Sequence, residues 1–235
     1  MFHQFTAKSL KIKSLSMKKL LTFSLFLYSV ALIAQPAYDD CQTIFELGIA
    51  PNCPVDTIFN NVDATESDIG FDNFPPCFNG GAPVRDVWIS FVASDTIFDY
   101  VIELTACPDP TLGLTPILQP QLAIYRGDCG IDELALLDCV AAEVGESNLS
   151  LELEGLTSGQ TYFLRINDWS VSGTPNMGAF KLCVKERDPI VIIDGDITST
   201  ACSGELYDSG GPDGDYGNDE NFTFTVCPSD FHNCI

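Results

Sequence analysis

Residues 149–154 read Leu-Ser-Leu-Glu-Leu-Glu, three leucines in strict alternation with a serine and two glutamates. Successive side chains of a strand point to opposite faces, so this period sets the leucines against a core and leaves the polar residues in water. That is a strand with one wet side. Residues 86–93, Asp-Val-Trp-Ile-Ser-Phe-Val-Ala, alternate Val87, Ile89 and Phe91 with Trp88, Ser90 and Val92. Both rows are largely apolar, which predicts a strand covered on both faces. From residue 54 to 186 the same unit recurs: a short run of Val, Ile, Phe, Tyr and Leu, then a turn of Gly, Pro, Asn or Asp. The expected strands are 57–62, 86–93, 98–105, 121–126, 135–140, 149–154, 161–167 and 179–184. Eight strands without a sustained 3.6-residue period predict an all-β chain built as an antiparallel, jelly-roll-like β-sandwich. Residues 131–142 also admit a helix, since Leu134, Leu137 and Asp138 have helical spacing; Cys129 and Cys139 favour a bridged hairpin instead.

Charge and cysteine place the chain. Of 235 residues, 11 are Lys or Arg and 33 are Asp or Glu, and no acid precedes Asp39. Residues 35–235 therefore hold six cations against all 33 acids, a net of −27. Nucleic acid and anionic membrane surfaces are repelled by such a surface. The apolar content of 46% is too high for a disordered acidic chain. Residues 1–34 read as a secretory signal peptide: Lys18 and Lys19, then the 15-residue uncharged run 20–34, then Gln35-Pro36. Met17 is an alternative start, and the apolar run is shorter than the roughly 20 residues a spanning helix needs. Membrane insertion after cleavage is not expected.

All ten cysteines follow that segment, and in an exported chain they read first as disulfides. No two lie within four positions and the only histidine after residue 34 is His232, which argues against zinc. The expected pairs are Cys129 with Cys139 across a hairpin, Cys53 with Cys77 across an irregular segment, and Cys41 with Cys183 joining the first and last strands. Cys107 is then the odd residue. Seven cysteines permit many other pairings.

Four segments in order carry a resemblance: DVWISFVA at 86–93, PQLAIYRGDCG with LLDC at 120–139, LEGLTSGQTYFLRIND at 153–168, and GAFKLCV at 178–184. The chain from about 38 to 186 resembles the bacterial pre-peptidase C-terminal domain, in the form common on secreted proteins of the Bacteroidetes. That family implies a β-sandwich with accessory roles: stabilising or targeting a secreted enzyme, or binding glycans or proteins. A fibronectin-type sandwich carries a similar corner at 155–166, but the later cysteines and DVWISFVA fit it poorly. Residues 202–228, CSGELYDSGGPDGDYGNDENFTFTVCP, look like the opening of a CUB-like domain. That likeness implies a second, incomplete β-sandwich, a Cys202–Cys227 bridge, and strands 204–207 and 221–226 paired as a hairpin. The expected organisation is a signal peptide at 1–34, a sandwich at 38–187, a linker at 188–198 and a truncated domain at 199–235.

Catalytic chemistry finds little to stand on. A Ser-His-Asp or Cys-His constellation needs a histidine placed by the fold, and the only one available is His232. No carboxylate pair is set in an aromatic stretch that would part the two pKa values. No catalytic residue and no cofactor are expected. Asp213, Asp215 and Asp219 gather hard oxygen ligands on a Gly-rich loop and are candidate calcium ligands, although the EF-hand spacing fails; a solvated acidic turn is the favoured reading. Asp39-Asp40 is a weaker candidate. Arg126-Gly127-Asp128 spells an integrin-binding tripeptide, which a turn before a bridge also explains. Asp56-Thr57-Ile58 and Asp95-Thr96-Ile97 resemble bacterial O-glycosylation sites, and Asn148 and Asn221 begin N-glycosylation patterns. The expectation is a secreted or cell-surface, non-catalytic module that binds an extracellular glycan or protein or stabilises an enzyme. The alternative is the N-terminal part of a larger secreted hydrolase, a peptidase or glycosidase, with its catalytic domain beyond residue 235.

Overall fold

Alternating apolar runs fold here as two facing sheets. The computed structural model describes residues 35–67, 69, 75–78, 85–130, 133–170, 176–199 and 204–226, within the unit Gln35–Ile235. After a short 3-10 turn, Cys41–Thr43, come the strands β1 (Phe45–Ile49), β2 (Phe59–Asn60), β3 (Val87–Val92), β4 (Tyr100–Ala106), β5 (Pro120–Gly127), β6 (Leu134–Ala141), β7 (Leu149–Leu153), β8 (Thr161–Asp168) and β9 (Ala179–Glu186). One sheet has the order β1-β3-β8-β5-β6 and the other β2-β9-β4-β7. All pairs are antiparallel except β1 with β3. The chain is an all-β sandwich, and the described residues contain no α-helix.

The inner faces pool one core. Ile89 and Phe91 of β3, Leu122 and Ile124 of β5, and Leu164 and Ile166 of β8 meet Ile102, Leu104, Leu151 and Phe180 from the opposite sheet. In β7 the expected alternation holds, with Leu149, Leu151 and Leu153 buried and Ser150 and Glu152 exposed. The hairpin between β7 and β8 turns on Gly155 (φ +65°) and Gly159 (φ +69°), a region a Cβ disfavours.

The five-stranded sheet is also covered behind, as residues 86–93 imply. Trp88, Ala123, Tyr125 and Leu134 pack there with Cys41, Ile69 and Phe78. Two bridges staple this cover: Cys41–Cys129 and Cys77–Cys139. The third, Cys53–Cys183, locks residues 52–53 beside β9, where Asn52 and Val184 exchange backbone hydrogen bonds of 2.7 and 3.0 Å.

The six expected cysteines are bridged and Cys107 is free, but none of the three expected pairs forms. Register gives the reason for Cys129 and Cys139. The β5–β6 hairpin closes at Gly127 opposite Leu134, whereas Cys139 lies opposite Ala123. The four residues from 123 to 127 span about 14 Å of strand, beyond the roughly 4.4–6.8 Å that a disulfide allows between Cα atoms. Cys139 instead points to the back of the sheet and meets Cys77, leaving Cys41 to Cys129 and Cys53 to Cys183.

Beyond Arg187 the segment expected as a linker carries strands of its own: β10 (Ile190–Ile192) and β11 (Ile197–Ser199), followed by β12 (Glu205–Tyr207) and β13 (Phe224–Val226). The expected hairpin of 204–207 with 221–226 is corrected: β12 pairs with β10 and β13 with β11, both in parallel. The β-branched runs at 190–192 and 197–199 supply the partner strands that the hairpin expectation left out. Cys202, Cys227 and Cys234 lie outside the described residues, as does the expected signal peptide 1–34.

Candidate functional site

The most chemically suggestive side chains are buried as framework. Asp86 just precedes β3, and Arg165 sits on the back of β8. Arg165 Nε donates to Asp86 Oδ2 at 2.8 Å and Arg165 Nη2 to the Ser67 carbonyl at 3.0 Å. Trp88 Nε1 donates to Ser67 Oγ (2.8 Å) and Asp86 Oδ2 (3.0 Å), and the Ser67 backbone N–H donates to Asp86 Oδ1 (3.0 Å). The guanidinium also lies 5.3 Å from the Trp88 ring centroid. Burial raises the Asp86 carboxyl above its usual range, against the opposing pull of Arg165. Burial likewise pushes the Tyr125 hydroxyl up to about 12. All of these groups are closed off from solvent, so the cluster fixes the cover onto the sheet and reaches no substrate. Beside it, Asn167 Nδ2 donates to Gln121 Oε1 at 2.8 Å.

Asp168 is the other buried carboxylate with a raised pKa, again through burial. It accepts from the backbone N–H groups of Leu118 (3.0 Å) and Gln119 (2.7 Å), holding the turn that enters β5.

The accessible charges gather at the opposite end, where β7 and β9 finish. Arg187 Nη2 lies 2.8 Å from Glu152 Oε2, and Nη1 pairs with Glu154. Its pKa is raised, first by the Glu154 hydrogen bond. Two open grooves of about 470 Å³ each flank this residue. One is walled by Ile97, Phe98, Asp99, Glu186 and Ile190. The other runs past Arg126, Leu137, Asp138, Glu152 and Tyr162. Two buried tyrosines hold the flanking loops. Tyr100 donates its hydroxyl to the Ile97 carbonyl and accepts from the Ser94 N–H, each at 2.8 Å. The Tyr162 hydroxyl accepts from the Thr157 N–H at 2.8 Å. The grooves are thus set on fixed walls, with both signs of charge in reach of solvent. That arrangement suits recognition of polar, extended ligands.

The sequence candidates fare differently. Asp213, Asp215 and Asp219 are exposed. Among the described residues no three His, Cys, Asp or Glu side chains are gathered to hold a metal ion, so the calcium loop is not assembled. Asp40 caps the 3-10 turn by accepting from the Gln42 N–H (2.8 Å), and Asp39 accepts from the Thr65 N–H (2.6 Å) and hydroxyl (2.8 Å). Both aspartates are structural. Arg126 and Asp128 are exposed at the end of β5, but Gly127 has its own reason: at φ +117°, a Cβ there would come within 2.3 Å of the Glu133 carbonyl oxygen. Asp95 and Thr96 lie on an exposed bend, and Asp95 accepts from the Ser158 hydroxyl (2.7 Å). The Asn148 side-chain carbonyl accepts from the Ala106 N–H (2.9 Å), tying the entry to β7 to the end of β4.

Arg187 and its grooves escaped the sequence reading. The available signal was scarcity, since a cation is rare in this chain and the one at 187 follows an alternating strand.

Three disulfides fit an extracellular protein, and no helix among the described residues is long and apolar enough to cross a membrane. No protein-family model matches the chain, and no curated protein matches its sequence.

Proposed function

We propose that this chain is a secreted or cell-surface module that does no chemistry of its own and binds an extracellular glycan or protein, or steadies an enzyme attached to it. The observation that carries the reading is the contrast in how polar groups are used. The buried carboxylates Asp86 and Asp168 are consumed by framework hydrogen bonds, while the solvent-facing charges line two preformed grooves beside Arg187. In this reading residues 1–34 are an export signal, 38–187 form a domain like the pre-peptidase C-terminal domain, and 199–235 open a CUB-like domain. The order of four strand-and-turn segments supports the first likeness, and the Tyr-Asp-Ser-Gly-Gly turn at 207–211 supports the second.

The test is a binding screen of exported protein against a glycan array and a panel of purified surface proteins, with Arg187→Ala alongside. Specific retention that Arg187→Ala changes about fivefold or more, the scale of one rim charge contact, is the expected result. Hydrolysis of a peptide or glycoside substrate by the chain alone would sink the non-catalytic reading.

A further inference from the structure

Of the two grooves, the one walled by residues 96–99 and 186–190 carries a surface of defined chemistry. Its apolar wall is half in water: Phe98 is 50% exposed and Ile190 43% exposed. Both line one groove, where they form a small exposed apolar patch within an acidic rim. The rim is acidic. Asp99, Glu154 and Glu186 face one cation, Arg187, which already pairs with Glu152 and Glu154. Asp99 and Glu186 are in no ion pair among the described residues. The wall continues into β10, which begins at Ile190 and pairs only with β12, so one edge of β10 carries no strand among the described residues. Such an edge offers unpaired N–H and C=O groups to an extended chain.

A second copy is a poor occupant, because two copies of residues 35–235, each of net −27, repel. A glycan satisfies neither the surplus negative charge nor the strand edge. We infer that this groove docks an extended segment of a partner protein in which a lysine or arginine neighbours an apolar side chain. The cation sits against Glu186 and Asp99, the apolar group covers Phe98 and Ile190, and the backbone lies along β10. The Tyr100 hydroxyl, bonded to the Ile97 carbonyl and the Ser94 N–H, holds the wall in shape before the partner arrives. This assignment rests on the reading of the chain as a binding module and names its partner class.

Fluorescence anisotropy with two labelled hexapeptides tests it, one alternating lysine with valine and one alternating glutamate with valine, titrated with the full exported chain. The lysine peptide binds about tenfold or more tighter than the glutamate peptide, a difference of one charge contact or more. Phe98→Ser weakens it about fivefold and Glu186→Gln about threefold, in line with loss of one apolar and one rim contact. Glu143→Gln with Glu146→Gln, on the exposed loop at the other end of β7, leaves it unchanged, and circular dichroism confirms that each variant is folded. Equal weakening by the 143/146 pair and by Glu186→Gln would reduce the effect to diffuse charge and overturn the proposal. So would an unaffected Phe98→Ser. Retention on a glycan array with both peptides silent would overturn the peptide assignment while leaving the binding module intact.

Discussion

The sandwich and the strands that follow it draw on the same residue types and reach opposite states. In β5 the Leu122, Ala123, Ile124 and Tyr125 side chains are completely buried. In β12 and β13, Leu206 and Val226 stand 50% and 53% exposed. Both regions have β-branched and aromatic strands, so propensity is not the difference. The sandwich sets nine strands in two sheets and pins the flanking segments to them with three bridges, whereas the later strands form two-stranded parallel ribbons. A ribbon of two strands has no inner face to bury, and a pair of that size is marginal in water. The region from 190 to 235 also has nine acids and no Lys or Arg. Layering, rather than strand content, is what separates a core from a surface here.

The largest effect expected from breaking this contrast is covalent. Cys53→Ala with Cys183→Ala opens a loop with a sequence separation of 130, and the chain-entropy relation puts the loss near 5 kcal/mol. Urea unfolding followed by tryptophan fluorescence reads it, since Trp88 lies in the sandwich. A change below about 1 kcal/mol would show that the bridge only decorates a fold stable without it.

Next is the buried pair. Arg165→Met leaves Asp86 without its cation in a dry site, a loss of roughly 3–5 kcal/mol. Arg165→Met with Asp86→Asn should recover part of it, and failure to recover any would point to lost packing on Trp88 instead.

Smaller, and opposite to the usual acid lability, is the response to pH. The resolved carboxylate shifts, at Asp86 and Asp168, are upward. A raised folded pKa means that the fold holds the proton more tightly than the open chain does. The stability it contributes is complete below the ordinary carboxylate range and is lost as pH rises through the folded value. Acidifying from pH 7 to 5 also relieves self-repulsion in residues 35–235, which carry a net −27. Thermal melts should therefore move up on going from pH 7 to 5, and Asp168→Asn should flatten the trend. A falling midpoint over that range contradicts the assignment.

The smallest effect lies outside the sandwich. Leu206→Ala should shift sandwich stability by less than about 0.5 kcal/mol. Amide hydrogen exchange should protect Ile124 and Ile166 strongly and β12 and β13 hardly at all. Comparable protection in the two regions would mean that the ribbons share the core.

What was legible in the chain was local. The two-residue period of 149–154 predicts β7, and the doubly apolar row of 86–93 predicts a strand with a cover behind it; both follow from side-chain alternation alone. β1 was missed because Phe45–Ile49 is interrupted by Gly48 at φ +88° and finds its partner in parallel, 44 residues onward at Ile89 for Phe45. The bridges were misassigned for a related reason. Pairing Cys77 with Cys139 requires knowing that β6 registers Cys139 beside Ala123, which depends on Gly127 lying opposite Leu134 and on the register shift in β5–β6, not on spacing. The parallel ribbons were equally hidden, since a hairpin is the cheapest local guess and these pairs are not local. The grooves beside Arg187 exist only once β7, β9 and the 94–98 loop have been brought together.

The Cys53–Cys183 bridge has a mechanical consequence for any load carried along the chain. Tension applied between Gln35 and Val226 travels from Gln35 to Cys53, crosses the sulfurs, and leaves through Cys183. Everything between those residues, which includes nearly every strand of the sandwich, is short-circuited and bears no load. Under tension the ribbons beyond Arg187 pay out first and take the Ile190 wall of the groove with them, while the strands between the two cysteines are sheltered by a single covalent detour.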